Sequence, residues 1–369
     1  MDIQTEHRIL HELDDKLLLL QKRLYFQKYL TPLNLAEERK IFLERNGQYS
    51  PQFRYYFPSE WDILDLRETL VNLQEEYFGK HRYTLPIHTI FQDKLKENIL
   101  MTDLLLAYIR QDFSALHTLQ TMIYGTFDED LLAIAKQTLD EYQDPDPVVR
   151  WAILDSKQVA ERIQQYLLDH HISDVSISPS SPGLNAFVLI IREHACVLTY
   201  SEHISLREHE LEAHLIHELG IHYQRYAAGK QSWRKILMYG TAWYARDEEG
   251  LALTAMCQYK KTFVPHYRKK SIYQKYYLLH QNQGKSFAEI AKMIKDSGIA
   301  TSWNKIFTMV AAMKQGIQDT SVACIGNITI KNKIYLEWQE RLHQRIAAGN
   351  DLSLLLLGKI KIEDIPQLP

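Results

Sequence analysis

Apolar residues recur with a helical period along most of this chain, and the main interruption lies just before its densest run of histidines. Leu10, Leu13, Leu17, Leu20 and Leu24 alternate spacings of three and four, the seam of an amphipathic helix. That helix is expected over residues 5–30, ending at Thr31-Pro32 because the residue before a proline is pushed out of the helical region. Helices are also expected over 36–45, 60–78, 95–111 and 130–142, the last behind an Asp128 cap. Gln143-Asp144-Pro145-Asp146-Pro147 cannot continue a helix. It is the best linker, separating an N-terminal helical region (1–147) from a second region (148–369) that opens with a helix over 156–170.

The period then changes. Residues 175–178, 186–192 and 195–200 are short β-rich runs divided by Pro179-Ser180-Ser181-Pro182-Gly183 and by Glu193-His194, and they predict a small antiparallel sheet. Ser205-Leu206-Arg207-Glu208 has the form of a capping box, so a helix should start there, with Leu211, Leu215 and Leu219 as its buried face. Helical periodicity resumes from this point almost to the end. The fold class expected is α+β, mainly helical.

A net charge of −3 and a pI near 6.6 give no electrostatic ground for a nucleic-acid partner. Cys196, Cys257 and Cys324 are odd in number and lack a Cys-x-x-Cys pair, which argues for reduced thiols and against a thiolate metal site. Residues 1–10 lack an apolar signal core, and Leu17–Leu20 and Leu352–Leu357 are too short to span a bilayer. A soluble, cytoplasmic protein without a membrane span is therefore expected. Oligomeric state leaves no trace in the pattern.

The candidate chemistry lies in His217-Glu218-Leu219-Gly220-Ile221-His222 and, thirty residues on, Glu248-Glu249-Gly250-Leu251-Ala252. Two imidazoles, a carboxylate between them and a later carboxylate are the parts of a hydrolytic zinc site: three ligands, an open position and a general base. The common metallopeptidase signature places its histidines four apart on one helix face. Here they are five apart, about 140° around a straight α-helix. A π-type turn would bring the rings back into line, and Gly220 lies in the interval. Simpler readings compete. His209, His214, His217 and His222 share this helix, and His214 could merely pair with Glu218 four residues on. Asp247 reads as an N-cap, which makes Glu248 a first-turn acid placed for the helix dipole and leaves Glu249 open to either role. His11-Glu12-Leu13-Asp14-Asp15 imitates a metal motif but has no second histidine, and reads as a solvated face.

The combination resembles one family. His-Glu-x-Gly-x-His followed by Arg225, then Glu-Glu-Gly-Leu-Ala, is similar to the microtubule-associated tyrosine carboxypeptidases, which include bacterial Glu-Gly-Leu-Ala motif proteins. Leu30-Thr31-Pro32-Leu33-Asn34-Leu35 with Glu37-Glu38, Gly183-Leu184-Asn185-Ala186, Gly358-Lys359-Ile360 and Glu363-Asp364-Ile365-Pro366 extend the likeness from about residue 30 to the C-terminus.

The resemblance implies a zincin-like catalytic region over 148–369, with one Zn²⁺ held by His217, His222 and Glu249 and with Glu218 as general base. It implies removal of a C-terminal tyrosine-like residue from a peptide or protein tail. Departures from the family pattern are Ile221 in place of threonine, Lys331-Asn332 in place of Lys-Asp ahead of Tyr335, and Lys314 as the only cation within 312–316. Lys331 and Tyr335 are the substrate-binding candidates, Tyr335 competing with a plain core role. Arg225, Arg246 and Lys314 also qualify by type to hold a terminal carboxylate, and Arg225 and Arg246 equally to orient ligands. The strand at 186–192 could receive an extended peptide by strand addition. The rivals are a zinc endopeptidase or amidase of the same fold and a catalytically silent interaction module.

Overall fold

Helix α1 (Ile3–Gln21) buries Leu10, Leu13 and Leu17, the seam read from its spacing. The computed structural model describes residues 2–21, 23–24, 29–141, 153–180, 187–191, 196–258, 265–324 and 328–368. The expected continuation of α1 to residue 30 falls partly outside these, and the described helix stops at Gln21. Arg23 follows, donating to Asp62 O and Asp65 Oδ2 at 3.0 Å. Glu6, fully buried, accepts from the backbone of Thr84 and Leu85 and from Thr84 Oγ1 at 2.8–3.0 Å, tying α1 to the turn before α4 (His88–Arg110).

Between them lie α2 (Leu35–Glu44) and α3 (Glu60–Gln74), the latter capped by Ser59 and ending in one π turn over Glu75–Gly79. The Asn34 and Glu38 of the family-like N-terminal stretch are structural. Glu38 accepts from Asn34 Nδ2, Tyr49 OH and Gln52 N, while Asn34 Oδ1 accepts from Arg54 N. An additional helix, α5 (Phe113–Tyr124), follows its cap Asp112, and α6 (Glu129–Asp140) starts at Asp128, whose side chain accepts from Leu131 N. The linker Gln143–Pro147 lies outside the described residues.

Strand β1 (Ile153–Leu154) leads into α7 (Ser156–Asp169), which Asp155 and Gln158 cap reciprocally. The sheet that follows corrects the expectation. Strands β2 (Val175–Ser180), β3 (Phe187–Ile191) and β4 (Cys196–Ser201) form a mixed sheet in the order β2-β4-β3, β4 running parallel to β2 and antiparallel to β3. Alternation tells which face of a strand is buried, as Cys196, Leu198 and Tyr200 are, but not which strand it will neighbour. Among the described residues this order leaves β3 on an edge.

Strand β5 (Leu206–Arg207) pairs with β1, so the next helix begins later than the Ser205 reading placed it. Helix α8 (Glu208–Leu215) starts with Glu210 accepting from Arg207 N at 2.9 Å. It runs unbroken into a π-helical segment, Ile216–Tyr223, and then α9 (Gln224–Gln231). After the short α10 (Ile236–Tyr239), α11 (Tyr244–Gln258) packs along α15 (Ile328–Ala347), with α12 (Pro265–Gln281), α13 (Phe287–Asp296) and α14 (Trp303–Met313) between them in sequence.

The C-terminal residues return through two 3₁₀ turns, Ser353–Leu357 and Ile362–Gln367. Lys359 pairs its backbone with Leu237 O (2.7 Å) and Thr241 N (2.9 Å). One apolar cluster joins Leu13, Leu17, Leu70 and Leu95 to Ile236, Leu237, Leu342, Leu355 and Ile360, fixing this return against the N-terminal helices. Among the described residues no helix is long and apolar enough to cross a membrane. Cys196 is buried and Cys324 half-buried, neither in a disulfide, and the Cys257 side chain lies outside the described residues.

Candidate metal centre

The five-residue spacing of His217 and His222 required a local widening of the helix, and the widening is present. Ile216–Tyr223 is π-helical over eight residues, and the two imidazoles stand with ring centroids 4.6 Å apart at 77°. Gly220 is not what permits it. Its backbone avoids the left-handed region, and an added Cβ would meet nothing closer than Tyr166 OH at 3.6 Å. The whole segment carries the distortion, with Leu219 and Ile221 as its buried anchors.

Helix α11 supplies the later carboxylates. It begins at Tyr244, not after Asp247, so Asp247, Glu248 and Glu249 lie within it and are 2%, 6% and 6% exposed. Neither an N-cap nor a solvated first-turn acid describes them, because a buried carboxylate needs specific partners. Asp247 accepts from Ile362 N at 3.3 Å. Burial pushes its carboxyl up to about 6.

Glu249 Oε2 lies 3.3 Å from His217 Nε2 and 3.6 Å from His222 Nε2. Both exceed the usual length of a strong hydrogen bond between such groups. They do match the edge of a tetrahedral zinc site, whose ligand atoms at bonds of 2.0–2.2 Å stand about 3.3–3.6 Å apart. The donor set of two imidazoles and a carboxylate fits the ion equally well. Glu218 offers an oxygen within 4.8 Å of the same imidazoles, but one of its oxygens accepts from Leu189 N at 3.3 Å, on the edge strand β3. It therefore faces the sheet side, and His214 lies over Phe187 of the same strand at 4.9 Å.

The far nitrogens of the two imidazoles differ. His217 Nδ1 faces Met256 Sδ at 3.1 Å, while His222 Nδ1 lies 3.2 Å from Glu248 Oε2. Burial works against a charged His222, but Glu248 and Glu249 override it and raise its pKa to about 10. Burial likewise opposes a charged Glu248, yet Lys359, His222 and Arg225 hold it down to about 2. Glu248, Met256 and Lys359 have no place in the sequence-derived site. The sequence held no usable signal for Glu248: with Asp247 as cap, both acids fall in the first turn, where the dipole accounts for them, and only the start of α11 at Tyr244 removes that explanation.

The nominated cations are mostly committed elsewhere. Arg225 is fully buried, its Nε donating to Leu355 O (2.9 Å) and Gly358 O (2.8 Å) and its Nη2 to Ile360 O. Arg246 is clamped between Trp243 and Trp338 at 5.1 and 5.0 Å and donates to Ile123 O. Lys314 is fully buried, giving its ammonium protons to the carbonyls of Lys285, Val322 and Cys324 at 2.6–2.8 Å. Lys331 stands on α15, four residues before Tyr335, but its side chain lies outside the described residues. Tyr335 is half-buried against the cluster that contains Met256.

A profile of the family described as microtubule-associated tyrosine carboxypeptidase matches residues 40–369. The chain belongs to this family. Microtubule-associated tyrosine carboxypeptidase 1 of Mus musculus is 22% identical over 350 residues, covering 92% of this chain and 61% of the mouse protein. The Rattus norvegicus protein of the same name is 22% identical over 352 residues, with the same coverage. The chain thus spans about 61% of the length of these relatives.

Proposed function

We propose that this family member is a zinc-dependent metallocarboxypeptidase that removes a C-terminal, tyrosine-like residue from a protein or peptide tail, with a zincin-like catalytic region over 148–369. One observation carries the reading: Glu249 Oε2 at 3.3 and 3.6 Å from the two Nε2 atoms, an arrangement that suits a tetrahedral cation better than hydrogen bonds. His217, His222 and Glu249 would hold one Zn²⁺. When bound there it supplies Lewis-acid polarisation of the scissile carbonyl and acidifies water.

The chain's own residues do the rest. Glu218 accepts the proton of the attacking water and passes it to the leaving amine. The hydrogen bond from Leu189 N holds its carboxylate toward β3. The outward edge of β3 receives the substrate backbone as an added strand, which brings the last peptide bond past Glu218. Tyr335 donates to the developing oxyanion and Lys331 pairs with the substrate's terminal carboxylate. The names of the mouse and rat relatives favour a tyrosine-ending tail as substrate and association with microtubules; a cytoplasmic site of action is part of the same proposal.

A second reading has its own support. Arg225, Arg246 and Lys314 are all engaged by protein groups, which leaves Lys331 to carry exopeptidase selectivity and keeps an endopeptidase or amidase of the same fold in contention. Metal analysis and a blocked substrate separate the possibilities. The proposed function predicts about one zinc per chain, lost in His217→Ala and His222→Ala, and no cleavage of a C-terminally amidated peptide. Zinc with cleavage of the amide selects the endopeptidase; a chain that takes up no zinc overturns both.

A further inference from the structure

The two imidazoles of the candidate metal site are backed by different chemistry, and the difference traces to the C-terminus. Met256 Sδ, a weak acceptor, faces His217 Nδ1 at 3.1 Å. His222 Nδ1 faces the carboxylate of Glu248 at 3.2 Å, and the other oxygen of Glu248 lies 3.7 Å from Arg225 Nη1. Glu248 and Arg225 are 6% and 0% exposed, and Lys359 is buried at 9%, its ammonium 5.4 Å from the Tyr244 ring centre at the start of the helix that bears Glu248. A buried Arg–Glu pair is costly unless its remaining donors are satisfied. Arg225 Nε ends on the carbonyls of Leu355 and Gly358 and Nη2 on that of Ile360, while Nη1 makes no hydrogen bond and meets Glu248 by charge alone. That segment is locked in turn by the backbone bonds of Lys359 to Leu237 and Thr241.

We infer that Glu248 is the positioning residue for His222, and that residues 355–360 form a strap which, through Arg225, sets the orientation of that imidazole. This rests on the zinc reading above. The 3.2 Å contact is an ion-pair distance that lacks hydrogen-bond geometry as it stands. Once aligned, a carboxylate on the far nitrogen of a ligating histidine fixes its tautomer, so that Nε2 presents its lone pair to the ion, and raises its basicity as a ligand. The strap thereby makes the C-terminal turn part of the metal site, although it contributes no ligand. Gly358 is packed tightly within it: a Cβ there would stand 2.9 Å from both Leu237 Cβ and Leu237 O.

The test is Zn²⁺ competition against a chromogenic chelator, with the visible spectrum of the Co²⁺-loaded full chain as a second readout. Three variants are compared. Glu248→Gln removes the charge, Glu248→Asp keeps the charge in the buried pocket but withdraws the carboxylate from His222, and Gly358→Ala displaces the strap without touching a ligand. Each should weaken Zn²⁺ binding, Glu248→Gln and Glu248→Asp by about 10–100-fold, and each should shift the Co²⁺ ligand-field bands. If the folded Asp and Ala variants bind Zn²⁺ as wild type does, with unchanged spectra, Glu248 and the strap are structural only and the inference fails. If wild type binds no metal, the zinc reading fails first. Should Glu248→Gln not fold, the Asp and Ala variants decide.

Discussion

Gly250, the glycine of Glu-Glu-Gly-Leu-Ala, sits where α11 crosses α15, and replacing it with alanine tests the site through packing alone. A methyl group there would stand 2.9 Å from Trp338 Cβ and 3.0 Å from the Trp338 carbonyl carbon and oxygen. Carbon atoms rest about 3.5–4.0 Å apart, so the helices must separate by about 0.5–1 Å. Alanine returns about 1 kcal/mol of helix propensity, whereas overpacking a core costs about 1–3 kcal/mol. The net change in folding stability should therefore be a loss of only about 0–2 kcal/mol. The metal site is less tolerant. Glu249 precedes Gly250 directly, and ligand distances are held to about 0.2 Å, so a half-ångström displacement leaves the carboxylate badly placed. We expect Gly250→Ala to weaken Zn²⁺ binding at least tenfold while the denaturant midpoint of the chelator-treated protein moves little. A variant stabilised by the full propensity gain, with unchanged Zn²⁺ affinity, would show that the helices do not approach as described.

Three further outcomes are expected. Glu218→Gln should retain zinc and lower kcat by about 10²–10⁴-fold; loss of the metal instead would make Glu218 a ligand. Tyr335→Phe should lower kcat by about 10²-fold at constant KM, and an unchanged kcat returns Tyr335 to the core. The third concerns Asp14, which does not lie on the solvated face expected of His11–Asp15: it is 1% exposed and accepts from Tyr239 OH at 2.8 Å, with burial raising its carboxyl from 3.8 to about 6. Its folded-state value lies above the unfolded one, so its stabilising contribution is complete below 3.8 and is lost as pH rises through about 6. The whole window amounts to about 3 kcal/mol. Denaturant midpoints at pH 7.5 and pH 5 should show wild type gaining on Asp14→Asn as pH falls, since Asp247 shifts the same way in both proteins and cancels; parallel pH dependence of the two would refute the buried carboxyl.

What could be read from the sequence was local and periodic. The Leu10–Leu13–Leu17 seam, the Asp128 cap and the five-residue histidine spacing are each statements about neighbours in one element, and each has its counterpart in the structure. Long-range packing was not legible in the same way. Strand alternation gave the faces of the sheet but not the insertion of β4 between β2 and β3. Asp247 has the chemistry of a cap, yet α11 starts three residues earlier, which carries Glu248 from a solvated first turn to a buried position beside His222. Gly220 invited a backbone explanation that its conformation does not need, whereas Gly250 owes its lack of a side chain to Trp338 on another helix. Arg225 qualified by type for several roles, and only the returning C-terminal carbonyls choose among them.

The central claim is most directly tested by mass spectrometry of two peptides identical except for a free or amidated C-terminal tyrosine, each incubated with the zinc-loaded full chain and with Glu218→Gln. A zinc carboxypeptidase should release one tyrosine residue from the free peptide and leave the amide unchanged, and Glu218→Gln should do neither. Internal cleavage of both peptides, or no product from any zinc-loaded sample, would contradict that claim.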